Sequence, residues 1–81
     1  MTVQVHLFAA ARDAVQSSQI SLNLAPGATV ADLRSALVQS FPALKGLQQS
    51  LLVAVNREYA ADSFALGPSD EIACFPPVSG G

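Results

Sequence analysis

Charge is what this sequence has least of. Of 81 residues only 12% are charged, four of them Lys or Arg and six Asp or Glu, about half the roughly 25% usual for a soluble domain. The four cations, Arg12, Arg34, Lys45 and Arg57, are scattered. They form no basic stripe for nucleic acid. A net charge of −2 also argues against anionic membrane surfaces. One cysteine, Cys74, excludes an internal disulfide framework and any multi-cysteine metal site. The longest apolar runs have five residues, against about 20 for a membrane span. The N-terminal segment has no basic leader, with Gln4 and His6 interrupting it, so a cytoplasmic protein is expected.

Linkers, repeats and low-complexity blocks are also missing, and the length allows one domain. Such a chain buries about 60–65% of its unfolded surface, enough for one modest core. There is little room for a deep pocket with its own catalytic shell. No nucleophile–base pair or ligand cluster stands at a useful spacing, which weighs against a stand-alone enzyme. What is abundant is apolar surface, at 51% of residues. With so few charges, part of it is expected to stay outside the core and mark a partner site.

Residues 2–8 alternate, with Val3, Val5 and Leu7 on one face and Gln4 and His6 on the other. This predicts a strand with one buried face. Phe8 falls on the polar face and is a candidate exposed aromatic. Residues 9–15 predict a loop or short helical turn. Residues 18–24 alternate again with Ile20, Leu22 and Leu24 inward, which predicts a long-looped hairpin with the first strand. After the Pro26-Gly27 turn, Thr29 and Asp32 stand at capping-box spacing. Val30, Leu33, Leu37 and Phe41 then follow helical spacing, widened by Ala36 and Val38. Pro42 ends that helix near Ser40. Residues 43–50 predict one more turn ending at Gly46.

Leu51-Leu52-Val53-Ala54-Val55 is apolar on both faces, as in a buried central strand. Asn56-Arg57 reads as a tight turn, followed by a short edge strand at residues 58–60. Gly67-Pro68-Ser69-Asp70 is a further turn before a strand at 71–75. The order predicts an α+β domain with one main helix packed across a mixed sheet. That domain spans residues 1–75, and residues 76–81 form a flexible tail.

The tail reads Pro76-Pro77-Val78-Ser79-Gly80-Gly81. Two prolines favour an extended stem, and six residues reach at most ~20 Å. Two terminal glycines remove every side chain beside the α-carboxylate, so the end can thread a narrow slot in another protein. A terminal carboxylate is inert until it is activated. Adenylation makes it a mixed anhydride that a sulfur nucleophile opens, leaving a thiocarboxylate. The plainer alternative is a frayed end, although two terminal glycines fall together by chance in only roughly 0.5% of chains.

Leu51-Leu52-Val53-Ala54-Val55-Asn56, the run Asp70-Glu71-Ile72-Ala73-Cys74-Phe75-Pro76-Pro77-Val78-Ser79-Gly80-Gly81 and the opening Phe8-Ala9-Ala10-Ala11-Arg12-Asp13 carry a resemblance. Together they resemble the sulfur-carrier (small) subunits of molybdopterin synthase over essentially the whole chain. A terminal Gly-Gly is common to ubiquitin-like proteins, whereas Phe-Pro-Pro-Val-Ser-Gly-Gly is far sharper.

The resemblance implies a β-grasp (ubiquitin-like) fold. It implies adenylation of Gly81 by an activating enzyme, conversion to a thiocarboxylate by a sulfur donor enzyme, and delivery to cyclic pyranopterin monophosphate in the large subunit. Two transfers make the dithiolene, and the usual assembly is a heterotetramer. This small subunit is then non-catalytic and binds no cofactor. Its covalent intermediates are the C-terminal acyl-adenylate and thiocarboxylate. Gly81 is the carrier and Gly80 gives access. The resemblance also places partner-facing side chains at Phe8, Tyr59 and Phe75 beside Pro76, Pro77 and Val78. Alternation independently puts Phe8 and Phe75 outside the core.

The sequence departs from the family at Tyr59, where an aliphatic residue is common, and at Cys74, where an aromatic is. Cys74 alternates with Ile72 and reads as a small buried hydrophobe rather than a sulfur donor. His6 reads as a solvated or interface residue. Arg12-Asp13 suits an ion pair or loop cap as well as a family motif, and Asp70-Glu71 suits a turn cap or a contact to the activating enzyme. Two other functions stay in view. A sulfur carrier for thiamine synthesis has the same fold and tail chemistry, but that family is typically shorter and lacks Phe-Pro-Pro. A ubiquitin-like modifier would join Gly81 to target lysines.

Overall fold

The computed structural model describes residues 1–77. Five strands form one mixed sheet: β1 (Thr2–Leu7), β2 (Gln19–Asn23), β3 (Leu52–Val55), β4 (Glu58–Tyr59) and β5 (Ile72–Phe75). Their spatial order is β2-β1-β5-β3-β4. The first and last strands are parallel neighbours, with Val5 opposite Ile72 and Leu7 opposite Cys74. The other pairings are antiparallel. Helix α1 (Ala9–Val15), helix α2 (Val30–Ser40) and a 3-10 helix (Pro42–Leu47) complete the domain. This is the expected α+β arrangement of one main helix and a mixed sheet.

Alternation determines which sheet face is buried. Val3, Val5 and Leu7 of β1, Ile20 and Leu22 of β2, Val53 and Val55 of β3, and Ile72 and Cys74 of β5 are all buried. They pack with Val30, Leu33 and Leu37 of α2 and with Leu44 of the 3-10 helix in one core. The capping box forms as expected. The Thr29 hydroxyl accepts from the Asp32 amide at 3.4 Å, and Asp32 Oδ2 accepts from the Thr29 amide at 2.8 Å. Arg34 then ties the outer side of α2 to the rest of the chain. Its Nε donates to Asp62 Oδ1 at 2.9 Å and its Nη1 to the Gln48 carbonyl at 2.8 Å.

Three expectations need correcting. The link between β1 and β2, expected as a loop or short helical turn, is a seven-residue helix, longer than a single turn. The helical turn after Pro42 continues to Leu47, beyond Gly46, because Leu44 is buried and holds it in place. Finally, the central strand is β5, and β3 is buried on one face only, with Leu52 and Ala54 half-exposed. The helices form a single layer, so one face of the sheet stays uncovered.

Two local devices position that open face. Asn56 and Arg57 both have positive φ, 53° and 71°, the pattern of the type I′ turn that suits a two-residue hairpin. It sets Tyr59 opposite Ala54. Asn56 also pins the start of β5. Its Oδ1 accepts from the Glu71 amide at 3.0 Å and its Nδ2 donates to Asp70 Oδ1 at 2.9 Å.

Candidate functional site

The open sheet face divides into two unlike halves. Over β1 and β2 it is polar and internally hydrogen-bonded. Gln4 Oε1 accepts from Gln19 Nε2 and from Ser21 Oγ, each at 3.1 Å, and Thr2 Oγ1 donates to Asn23 Oδ1 at 2.7 Å. Towards β5, β3 and β4 the same face becomes apolar. Register lays out two rows there. One runs His6, Ala73, Ala54, Tyr59 across four strands. The next pairs Phe75 with Leu52, beside Phe8 at the end of β1.

Three aromatic rings dominate this half. Phe8 and Phe75 meet edge to face with centroids 6.5 Å apart at 78°. Tyr59 and Phe75 lie 5.9 Å apart at 50°. Both spacings fall within the range of favourable aromatic pairs. Phe8 is 50% exposed and Tyr59 74%, so the cluster buries itself poorly and leaves apolar area facing water. Contiguous exposed apolar surface of this kind marks partner sites on soluble domains.

The backbone holds Phe8 in place. Its amide donates to the Cys74 carbonyl at 3.2 Å, and its carbonyl accepts from the Ala11 amide at 3.2 Å. Ala9 follows in the left-handed region, at φ 53°. A non-glycine residue there is uncommon, and here it turns the chain from β1 into α1 directly beside the cluster. Pro76 is half-buried and Pro77 exposed, so the stem of the tail leaves the sheet at Phe75, inside the aromatic group. Val78, Gly80 and Gly81, also expected at the site, lie outside the described residues.

The structure brings Phe8, Tyr59 and Phe75, each expected to face a partner, together on one side of the sheet. The sequence reading misses the floor between them, Leu52, Ala54 and Ala73. In β3 both faces are apolar, so period-two alternation gave no sign of which side stayed open. Phe64, 46% exposed, was not singled out and lies away from this face, at the loop whose backbone receives the start of α2.

The remaining candidates resolve structurally. Cys74 is buried with no exposed surface, and desolvation pushes its thiol up to about 12, only partly offset by the charge of Arg34. Such a thiol is almost entirely protonated at neutral pH and is a poor nucleophile. Asp70 caps its turn, accepting from the Gly67 amide at 2.7 Å. Its hydrogen bond from Asn56, and then that from Gly67, hold the carboxyl below the usual carboxylate range. Arg12 and Asp13 form an exposed ion pair at 3.6 Å, which contributes little to stability. They line an open depression of about 370 Å³ with Gln16, Ser17 and Ser18. Among the described residues no group of His, Cys, Asp and Glu could hold a metal ion, and no helix is long and apolar enough to cross a membrane.

The ThiS family profile matches residues 5–81. The chain is 35% identical over 79 residues to the molybdopterin synthase sulfur carrier subunit of Arabidopsis thaliana, covering 98% of this chain and 82% of that one. It is 37% identical to small archaeal modifier protein 1 of Haloferax volcanii, covering 93% and 95% of the two chains. The crystal structure of SAMP1 from Haloferax volcanii superposes with a TM-score of 0.88 at 34% identity, over 100% of both chains. A chain of the Helicobacter pylori complex of subunits 1 and 2 of molybdopterin-converting factor shares the fold, with a TM-score of 0.69 at 23% identity over 100% of both chains. The ubiquitin-like β-grasp fold expected from the sequence is thereby established.

Proposed function

This chain belongs to the ThiS family, and on that premise we propose that it is the sulfur-carrier subunit of molybdopterin synthase, carrying sulfur on Gly81. The observation that carries this reading is the aromatic group of Phe8, Tyr59 and Phe75 at the root of the Pro-Pro-Val-Ser-Gly-Gly tail. The exposed aromatic face stands at the root of a tail whose Gly-Gly end is suited by composition to threading, which supports this reading. A partner that grips the rings receives the tail within ~20 Å of them.

The chemistry needs nothing from the folded domain beyond that grip. The Gly81 carboxylate attacks the α-phosphate of ATP in an activating enzyme, forming an acyl-adenylate and releasing pyrophosphate. A sulfide equivalent from a sulfur donor enzyme then adds to the acyl carbon, and AMP leaves, so one C–O bond is replaced by a C–S bond. The thiocarboxylate is a soft anionic nucleophile that attacks the pterin precursor in the large subunit. Hydrolysis then returns Gly81 to a carboxylate, and a second charged carrier completes the dithiolene. Gly80 keeps side chains away from the slot, while Pro76, Pro77 and Val78 line its entrance. The large subunit supplies the catalytic residues, and the carrier itself is non-catalytic. Cys74 takes no part, since its sulfur is buried behind the sheet. A cytoplasmic location accords with this chemistry.

The deciding experiment is reconstitution with the large subunit, activating enzyme, ATP, sulfur donor and pterin precursor, assayed for dithiolene. Product formation supports the reading. A chain that becomes charged with sulfur but leaves the pterin precursor unconverted, with no dithiolene, while restoring thiazole synthesis instead, would be a thiamine sulfur carrier. The likeness to a small archaeal modifier protein favours one second reading, conjugation of Gly81 to lysines. Isopeptide-linked products in cells expressing a tagged chain, absent when Gly81 is deleted, would support it.

A further inference from the structure

Strand β2 forms one edge of the sheet and β4 the other, and the two edges are finished differently. β4 is two residues long, carries Glu58 and adjoins Arg57, features that blunt an edge against further pairing. β2 runs for five residues, Gln-Ile-Ser-Leu-Asn, without charge, proline or glycine. Its register with β1 is unbroken by any bulge.

The hydrogen-bonding phase of β2 is set by its flanks. The Leu24 amide donates to the Met1 carbonyl at 2.8 Å, and the Leu7 amide to the Ser18 carbonyl at 2.9 Å. Alternation along an antiparallel ladder then turns the backbone groups of Ile20 and Leu22 towards β1. Those of Gln19, Ser21 and Asn23 point outwards. Ser17 Oγ engages the first of these, donating to the Gln19 carbonyl at 2.8 Å and accepting from its amide at 3.4 Å. The outward groups of Ser21 and Asn23 have no protein partner among the described residues. Side chains leave this edge clear, because Gln19 and Ser21 both lean inward onto Gln4, and Asn23 onto Thr2. On the core side, Ile20 at 9% and Leu24 at 8% exposure are the least buried members of the core. The core is therefore thinnest along β2.

We propose that β2 is a self-association edge: two copies of the chain pair β2 with β2, antiparallel, about a two-fold axis through Ser21. The outward residues 19, 21 and 23 are symmetric about that position. This register sets Ser21 against Ser21 and Gln19 against Asn23, using backbone groups that already point outwards. The Gln19 amide gives up only its long bond to Ser17, and the Gln19 carbonyl keeps a second lone pair. Pleating matches the side chains in kind, with amides meeting on the open face and Ile20 meeting Leu22 over the thin part of the core. A two-fold axis brings identical residues together, and a strand without charge suffers no repulsion there. This self-complementary register selects a second copy over an unrelated extended segment. Both open faces end on the same side of the joined sheet. β2 lies two strands from β5, so the aromatic group of each copy stays free.

The test is sedimentation velocity of the full chain from about 10 µM to about 1 mM. A single strand pair is a small contact, so half-dimerisation is expected near roughly 100 µM. Amide exchange at Ser21 and Asn23 should slow as concentration rises. Ser21→Lys and Ser21→Glu each place like charges on the axis and should weaken the dimer at least roughly tenfold. Ser21 is exposed, so both variants should give the wild-type circular dichroism. An equimolar mixture of the two should dimerise again, because opposite charges then meet at the axis. A wild type that stays monomeric at the highest concentration would overturn the proposal. So would a dimer that survives both single variants, or a mixture of them that stays monomeric. A dimer lost in Phe75→Asp but kept in Ser21→Lys would place the contact on the aromatic face and overturn it too.

Discussion

Phe75 of the central strand contacts aromatic rings on both sides, Phe8 at 6.5 Å and Tyr59 at 5.9 Å. It is the keystone of the exposed cluster and the last strand residue before the tail. Phe75→Asp puts a charge where a partner must seat apolar surface. Central aromatic anchors of interfaces typically carry ~2 kcal/mol or more, so affinity for the large subunit should fall at least roughly 30-fold. The side chain is outside the buried core, so thermal stability should change far less. Binding measured by calorimetry and melting measured by circular dichroism give the comparison. Equal binding would remove Phe75 from the interface.

How much of this was legible beforehand depends on which signals the residues carry. Alternation in β1 and β5 was enough to put Phe8 and Phe75 outside. Thr29 with Asp32, and Asn56 with Arg57, announced a helix start and a turn through their own side-chain chemistry. The parallel pairing of β1 with β5, which brings the two phenylalanines together, is a long-range contact with no local trace, and it came from family resemblance. Helix α1 is legible in the sequence only as a loop or short helical turn, for a physical reason. Its N-cap is Phe8, which makes no side-chain cap, its first residue has positive φ, and Ala11 is its only buried residue. A helix held by so little apolar surface leaves no periodic stripe to read.

The left-handed positions offer stabilising changes away from the core. Gln16 ends α1 at φ 62° and Arg57 closes the β3–β4 hairpin at φ 71°. Both conformations favour glycine, and Asn-Gly is the preferred type I′ pair. Gln16→Gly and Arg57→Gly should each add about 0.5–1 kcal/mol by relieving the Cβ conflict. In a domain this size that raises the melting temperature by roughly 2–8 °C, read by calorimetry. A fall in melting temperature for both would show that their side chains contribute more than their backbone strain costs.

Cys74 separates a structural thiol from a chemical one. Cys74→Ala should support sulfur transfer at the wild-type rate per folded molecule while losing about 1–2 kcal/mol for the vacated volume. The native thiol should resist iodoacetamide at pH 8 and react on unfolding. Because burial raises the folded thiol to about 12, its contribution to stability is complete below the ordinary thiol range. It is lost as pH climbs from there through 12. Denaturant melts of wild type and Cys74→Ala should therefore converge at alkaline pH. A variant that folds but cannot be charged with sulfur would return Cys74 to the mechanism.

Gly81 is the residue on which the proposed chemistry depends, and the fold can be separated from it. The buried core closes at Cys74, and the strand hydrogen bonding ends with Phe75 opposite Leu52. Removal of Gly81, or addition of one residue after it, moves the carboxylate by one residue, roughly 3.5 Å. Reacting atoms must meet within about 3–3.5 Å, so that displacement is large enough to abolish productive attack inside a partner's slot. Both variants should melt with the wild type, dock through Phe8, Tyr59 and Phe75, and yield no dithiolene. Intact mass after incubation with the activating enzyme, ATP and sulfur donor should show one oxygen replaced by sulfur in the wild type only. If either variant fails to fold, the tail is structural. If the shortened chain still transfers sulfur, the carrier atom is not on Gly81.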